Sequence, residues 1–219
     1  MKPITARQTQ ETRCDTCGKE VPGYDLVNYG SIENGYRRLC GQCFNTHVAH
    51  LAGLHGFEHI NLEPVRLIDC SGEAHDFHFR THLFGPGVAL DAFELHDGSP
   101  AGYQFQIIGD PEEDLLALLG RLIARMRRAL SVKHVRQNGA SGLQIADHRL
   151  GGRLDGWLDG RPGGLVRGRI EWDDARDDDR VPLLVIDGQE ISWEQFGRMM
   201  MSFEGWQFRL EIRDKSEDL

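Results

Sequence analysis

Two Cys-x-x-Cys pairs, Cys14/Cys17 and Cys40/Cys43, constrain the first quarter of the chain more tightly than any other feature in it. Two thiolates separated by two residues span one edge of a tetrahedron, and two such pairs make the four-sulfur shell of a structural zinc ion. The glycine of Cys14-Asp-Thr-Cys-Gly permits the positive φ that closes such a knuckle. The 22 residues between the pairs hold Tyr24, Val27 and Tyr29, then a hairpin turn at Glu33-Asn34-Gly35. After Cys43, the residues Phe44, Val48, Leu51 and Leu54 recur at helical spacing, with a stop near Gly53 to Gly56. A knuckle, a hairpin and a helix carrying the second pair at its start follow each other in treble-clef order. Four thiolates leave no open coordination position, so one Zn2+ held by Cys14, Cys17, Cys40 and Cys43 is structural and does not activate water.

The remainder reads as an α+β domain. Val65–Asp69, His75–Phe84, Val88–His96 and Tyr103–Ile108 are short strands separated by turn residues, the pattern of an antiparallel meander. Asp110-Pro111-Glu112-Glu113 has the residues of a helix start, with Asp110 as cap. Leu115, Leu119, Leu122, Met126 and Ala129 then line one helical face. Residues 137–164 contain eight glycines and read as loop or weak strand. Leu165–Trp172 is a further strand, and the acidic run Asp173–Arg180 a loop. Pro182–Ile186, the turn Asp187-Gly188 and Glu190-Ile191 form a hairpin into a last helix, whose capping box is Ser192 with Gln195. Trp193, Phe196, Met200 and Phe203 form its apolar stripe, and Trp206–Ile212 alternates as a closing strand packed over it. The division is residues 1–61, a zinc-binding treble-clef-like domain, and residues 62–219, an antiparallel sheet packed with two main helices. The larger domain is expected to keep its fold without the ion.

A net charge of −9 opposes general phosphate-backbone binding, which needs a positive field. Residues 1–60 hold six Lys or Arg and six Asp or Glu, so the finger is neutral and nucleic acid is disfavoured as a partner. No apolar run approaches the ~20 residues of a spanning helix, and the N-terminus lacks a signal-peptide core. These features predict a cytoplasmic chain with no membrane partner, whose cysteines serve as metal ligands plus a spare thiol. Cys70 is expected to be that thiol, at least partly buried beside Val65 and Ile68.

Other constellations compete with blander explanations. His47, His50, His55 and His59 follow the finger and offer a second metal site with Cys70 or His75, but surface or packing roles suit them better. His78, Arg80 and His82 share one face of a strand. With Glu94 and His96 on the next strand, His78 and His82 would make an open metal site, although Arg80 between them is a poor neighbour for a cation. The simpler reading is a solvated polar face. Asp173, Asp174, Asp177, Asp178 and Asp179 lack the ligand order of a calcium loop. P-loop, GxSxG, HExxH and dinucleotide motifs are absent.

The segment Ile186-Asp-Gly-Gln-Glu-Ile-Ser-Trp-Glu-Gln-Phe-Gly-Arg-Met-Met-Met-Ser-Phe-Glu-Gly-Trp-Gln-Phe-Arg-Leu, the stretch Gly102-Tyr-Gln-Phe-Gln-Ile-Ile-Gly-Asp and the cysteine pairs resemble a family of uncharacterised bacterial proteins. That resemblance implies a bacterial zinc-finger protein and transfers no catalytic residue. The favoured expectation is a binding or adaptor protein acting through a protein partner or self-association. The alternatives are a metal-dependent enzyme using His78, His82, Glu94 and His96, and nucleic-acid recognition by the finger.

Overall fold

The computed structural model describes residues 12–139, 142–146, 166–173 and 181–217. The chain begins with a small hairpin, β1 (Thr12–Arg13) and β2 (Glu20–Val21), then a second hairpin, β3 (Leu26–Ser31) and β4 (Gly35–Cys40), and helix α1 (Gly41–Ala52). Gly35 turns the second hairpin with φ +73, and Gly53, left-handed at φ 71, ends α1. Four strands follow: β5 (Val65–Ile68), β6 (Ala74–Phe84), β7 (Gly87–His96) and β8 (Ser99–Gly109). They pair antiparallel in sequence order, as alternation and turn residues predict. The β7–β8 link is a tight Asp97-Gly98 turn with φ 51 and 78, shorter than the expected loop. Both positive φ values match a type I′ hairpin.

Helix α2 (Leu115–Leu130) covers one face of this sheet. Its cap is Asp114, whose carboxylate accepts from the Leu116 N–H. Asp110 was the expected cap, but its side chain closes a local turn onto the Glu112 N–H, so the helix starts one turn later. The buried stripe is Leu118, Leu122, Met126 and Leu130, packed with Phe77, Leu83, Val88, Leu90, Ala92 and Tyr103. Leu122 and Met126 of the expected stripe are in it and Leu115 and Leu119 pack at its margin, but its centre is shifted toward Leu118, and Leu116 is 59% exposed.

The sheet's other face is not the solvated polar surface that its sequence suggests. Tyr24, between β2 and β3, packs edge-on against His78 and Phe93, and Phe44 of α1 packs against His82. Arg80 pairs with Asp91 at 2.9 Å and donates to the Tyr24 carbonyl. Strand β6 is flanked in two parts. β5 pairs only with Ala74–Phe77; beyond that, the fully buried Asn45 of α1 takes over. Its amide donates to the Thr81 carbonyl at 2.7 Å, and its carbonyl accepts from the Leu83 N–H at 2.9 Å. A side-chain amide thus stands in for a strand and satisfies two backbone groups on an otherwise open edge. Ala49, with Val48 and Leu54 packed beside it, shares the core of the sheet and α2.

The C-terminal part contains β9 (Val135–Asn138) paired with β10 (Gly142–Ile145). It also holds a three-stranded sheet of β11 (Arg169–Trp172), β12 (Pro182–Ile186) and β13 (Gln189–Ser192), then α3 (Trp193–Met200). The capping box at Ser192 and Gln195 is present in both directions. Val135, Ile145, Ile186, Ile191 and Met199 form a second core. Met199 is therefore the buried anchor of α3, while Trp193 is 51% exposed; Phe196, Met200 and Phe203 pack at the margin. The expected closing strand does not form. Residues 206–213 are not in a strand, and Trp206, Phe208, Leu210 and Ile212 are exposed. The chain does return toward α2, held by Arg125 donating to the carbonyls of Lys215, Ser216 and Glu217. The acidic run after Asp173 and most of the glycine-rich stretch lie outside the described residues. Among those described, no helix is long and apolar enough to cross a membrane.

Candidate metal centre

Cys14 and Cys17 sit in the loop between β1 and β2, which Gly18 closes with φ 71. Two hydrogen bonds stitch this loop to β4: Asp15 N–H to the Arg38 carbonyl at 2.8 Å, and Arg38 N–H to the Asp15 carboxylate at 2.7 Å. Cys40 ends β4 and caps α1 in an extended conformation, so Cys43 falls in the first helical turn beside it. A Cβ at Gly41, between them, would lie 2.6 Å from the Asp25 carboxylate and force it to move.

The four sulfurs converge within 4.8 Å of one another, without a disulfide. The Cys17 and Cys40 sulfurs are 3.9 Å apart. A tetrahedral ion with bonds of about 2.3 Å to sulfur would separate its ligands by about 3.8 Å, so the spacing fits. Cys14 and Cys40 are buried with Leu39, and Val21, Tyr29 and Phe44 pack around them.

The electrostatics point the same way. Burial alone would raise the Cys14 pKa, but N–H donors from Cys17, Cys40 and Thr16 outweigh it and bring the thiol down to about 6. Burial, and then the neighbouring sulfurs, push Cys43 far above the ordinary thiol range. Four sulfurs packed this closely ionise together only with a cation among them.

The other candidates scatter. His47 packs against Tyr29, His50 and His55 are exposed, and His59 bonds to Asn45 and Asn61. His78 meets the Tyr24 hydroxyl at 3.4 Å, the Nε2 of His82 is buried with no hydrogen-bond partner among the described residues, and His96 faces Asp97 at the surface. Glu94 turns away from these three toward His75, at 2.8 Å. Among the described residues, no cluster of three metal-capable groups includes His78, His82, Glu94 or His96. Cys70 is exposed, contrary to expectation, because it lies in the turn after β5 instead of on the strand. Sequence reading missed the grouping of Asp69, Glu73 and His75. Its available signal was a histidine in phase with the core residues Phe77 and Leu83.

Fold and site together define an α+β protein with an N-terminal four-cysteine centre of treble-clef-like order. Three domains of unknown function match successive segments: DUF7685 over residues 13–55, DUF7686 over 58–131 and DUF7713 over 158–217. No curated protein and no solved structure matches the chain.

Proposed function

We propose that this is a zinc-stabilised binding or adaptor protein, acting through protein contacts in a reducing compartment. The observation that carries the proposal is the four-thiol cluster, with Cys14 and Cys40 buried and Cys17 at the surface. It has tetrahedral spacing and only cysteine donors, the ligand set of a closed structural zinc site. One zinc ion there would fasten the knuckle to the start of α1, the helix whose Asn45 holds the edge of β6. Such an ion supplies folding energy, not chemistry.

The binding surface in this reading is the open groove beside the centre, lined by Thr16, Lys19, Gln42, Thr46, His47 and His50. It rests on the rigid knuckle and on α1, so its shape would depend on the metal. Purified protein should contain one tightly held zinc per chain, and Cys40→Ser should abolish it. Thr46→Arg, which fills the groove from an exposed position, should keep zinc and fold yet lose a defined cross-linked partner in the native host. A well-folded, reduced protein without metal would refute the zinc site. An unchanged partner set in Thr46→Arg would refute the groove.

A further inference from the structure

We infer that Asp69, Glu73 and His75 form a second metal site, specific for a divalent transition ion and independent of the cysteines. Asp69 follows β5 with its side chain fully buried. One carboxylate oxygen accepts from Ser71 N–H, Ser71 Oγ–H and Glu73 N–H, at 2.7 to 2.9 Å. These bonds fix the β5–β6 turn and aim the other oxygen inward. His75 opens β6 on the core-facing side, its side chain 7% exposed.

The His75 tautomer follows from its partners. Nδ1 lies 2.8 Å from Glu94 Oε1, and an ionised carboxylate accepts only, so Nδ1 carries the proton. The other oxygen of Glu94 accepts from the Tyr103 N–H at 2.7 Å. Glu94 is confined further by glycines: a Cβ on Gly102 would lie 2.3 Å from Oε2. A carboxylate that orients a histidine through its non-ligating nitrogen is the usual outer support of a metal-bound imidazole.

In the neutral ring, Nε2 then presents its lone pair toward Asp69 Oδ2, at 3.4 Å. That is long for a charge-assisted hydrogen bond, about 2.7–2.9 Å. It is the separation of two tetrahedral ligands at about 2.1 Å from one ion. Glu73 brings a third ligand atom within 4.8 Å of the others and is exposed at the rim, where an ion would enter. One imidazole with two carboxylates suits zinc, iron, cobalt or manganese better than calcium.

Two further observations bear on the site. Lys133 Nζ lies 2.7 Å from Asp69 Oδ2 and 3.8 Å from Glu73, so an ammonium supplies the positive charge in this arrangement. With its side chain 21% exposed, Lys133 can swing into solvent when an ion takes its place. Tyr103 packs edge-on against His75 at 5.2 Å. It is nine-tenths buried, yet among the described residues its hydroxyl has no hydrogen-bond partner. A buried, unpartnered hydroxyl on a ring packed against His75 is a polar group available to a ligand at this cluster.

Titrating Co2+ into the zinc-loaded full chain tests this. The expected result is one additional equivalent bound, with paramagnetic shifts on the His75 imidazole. His75→Ala should lose that equivalent and keep the cysteine-bound zinc. Should His75→Ala fail to fold, Glu73→Gln, exposed and nearly isosteric, should weaken binding in a folded chain. Lys133→Met should tighten it by removing the competing cation. Absence of the second equivalent from the wild-type chain overturns the inference, as does an equivalent that survives both His75→Ala and Glu73→Gln.

Discussion

Asn45→Ala is the substitution that best separates a finger merely tethered to the sheet from one built into it. The carboxamide is fully satisfied: one N–H donates to the Thr81 carbonyl, the other to His59 Nδ1 at 2.9 Å, and the oxygen accepts from Leu83 N–H. Alanine leaves two backbone groups of β6 without partners. Each buried unsatisfied group costs about 1–3 kcal/mol. Alanine's better helix propensity returns at most about 0.7 kcal/mol. The net expectation is a loss of about 1–5 kcal/mol, a large share of a typical domain's 5–15 kcal/mol. Chemical denaturation of the metal-loaded protein measures it, with metal content determined on the same sample. A loss below about 0.5 kcal/mol, the size of an ordinary surface change, would refute the reasoning and show that Asn45 does not hold the β6 edge.

Three other outcomes follow from the geometry. Asp187 sits at φ 52 and accepts from the His134 and Val135 N–H groups at 2.6 and 2.8 Å. In thermal melts, Asp187→Ala should therefore be the most destabilising, Asp187→Gly intermediate and Asp187→Asn the mildest, since asparagine keeps an acceptor and tolerates the left-handed region. Ser192→Ala removes one half of the capping box and should cost about 1 kcal/mol of stability, read from the denaturation midpoint. Burial, and then the positive charge of Arg80, lower the His82 pKa to about 4 against the smaller opposing pull of Asp91, with His59 adding to the lowering. The unfolded chain thus takes up a proton near pH 6.5 that the folded chain resists. His82 accordingly costs the fold nothing above pH 6.5 and progressively more as pH falls toward about 4. His82→Leu should flatten the stability–pH curve in that window, and an unchanged slope would assign it to other groups.

Periodicity and turn chemistry made the central meander, the cysteine cluster and the capping box legible, because each is set by residues close in sequence. The errors arose where a choice depended on distant partners. Both Asp110 and Asp114 are good caps, and the packing of Leu118 against the sheet chose the second. Residues 206–212 alternate like a strand, yet pairing needs an open edge within reach, and none of the described strands takes it. The spacing through Trp193 and Phe196 set the face of α3 one position away from Met199, which Ile186 and Ile191 select. The cover over His78 and His82 comes from Tyr24 and Phe44, 54 and 38 positions back in the chain. Asp69, His75 and Lys133 meet only because the end of α2 returns to the start of β6, a closure that no local pattern encodes.

A Cβ on Gly188 would lie 2.9 Å from the Tyr103 ring, and this contact joins segments that belong to different domain matches. The Asp187-Gly188 hairpin acts as a stopper set into the end of the neighbouring sheet. The two segments are thus separable as text but not as objects. A chain cut after residue 131 would leave the Tyr103 ring facing water, with Asp69 and Glu94 uncovered beside it. Relatives that carry the middle segment with a different follower are expected to have a smaller or more polar residue at this place, or to bring a stopper of their own.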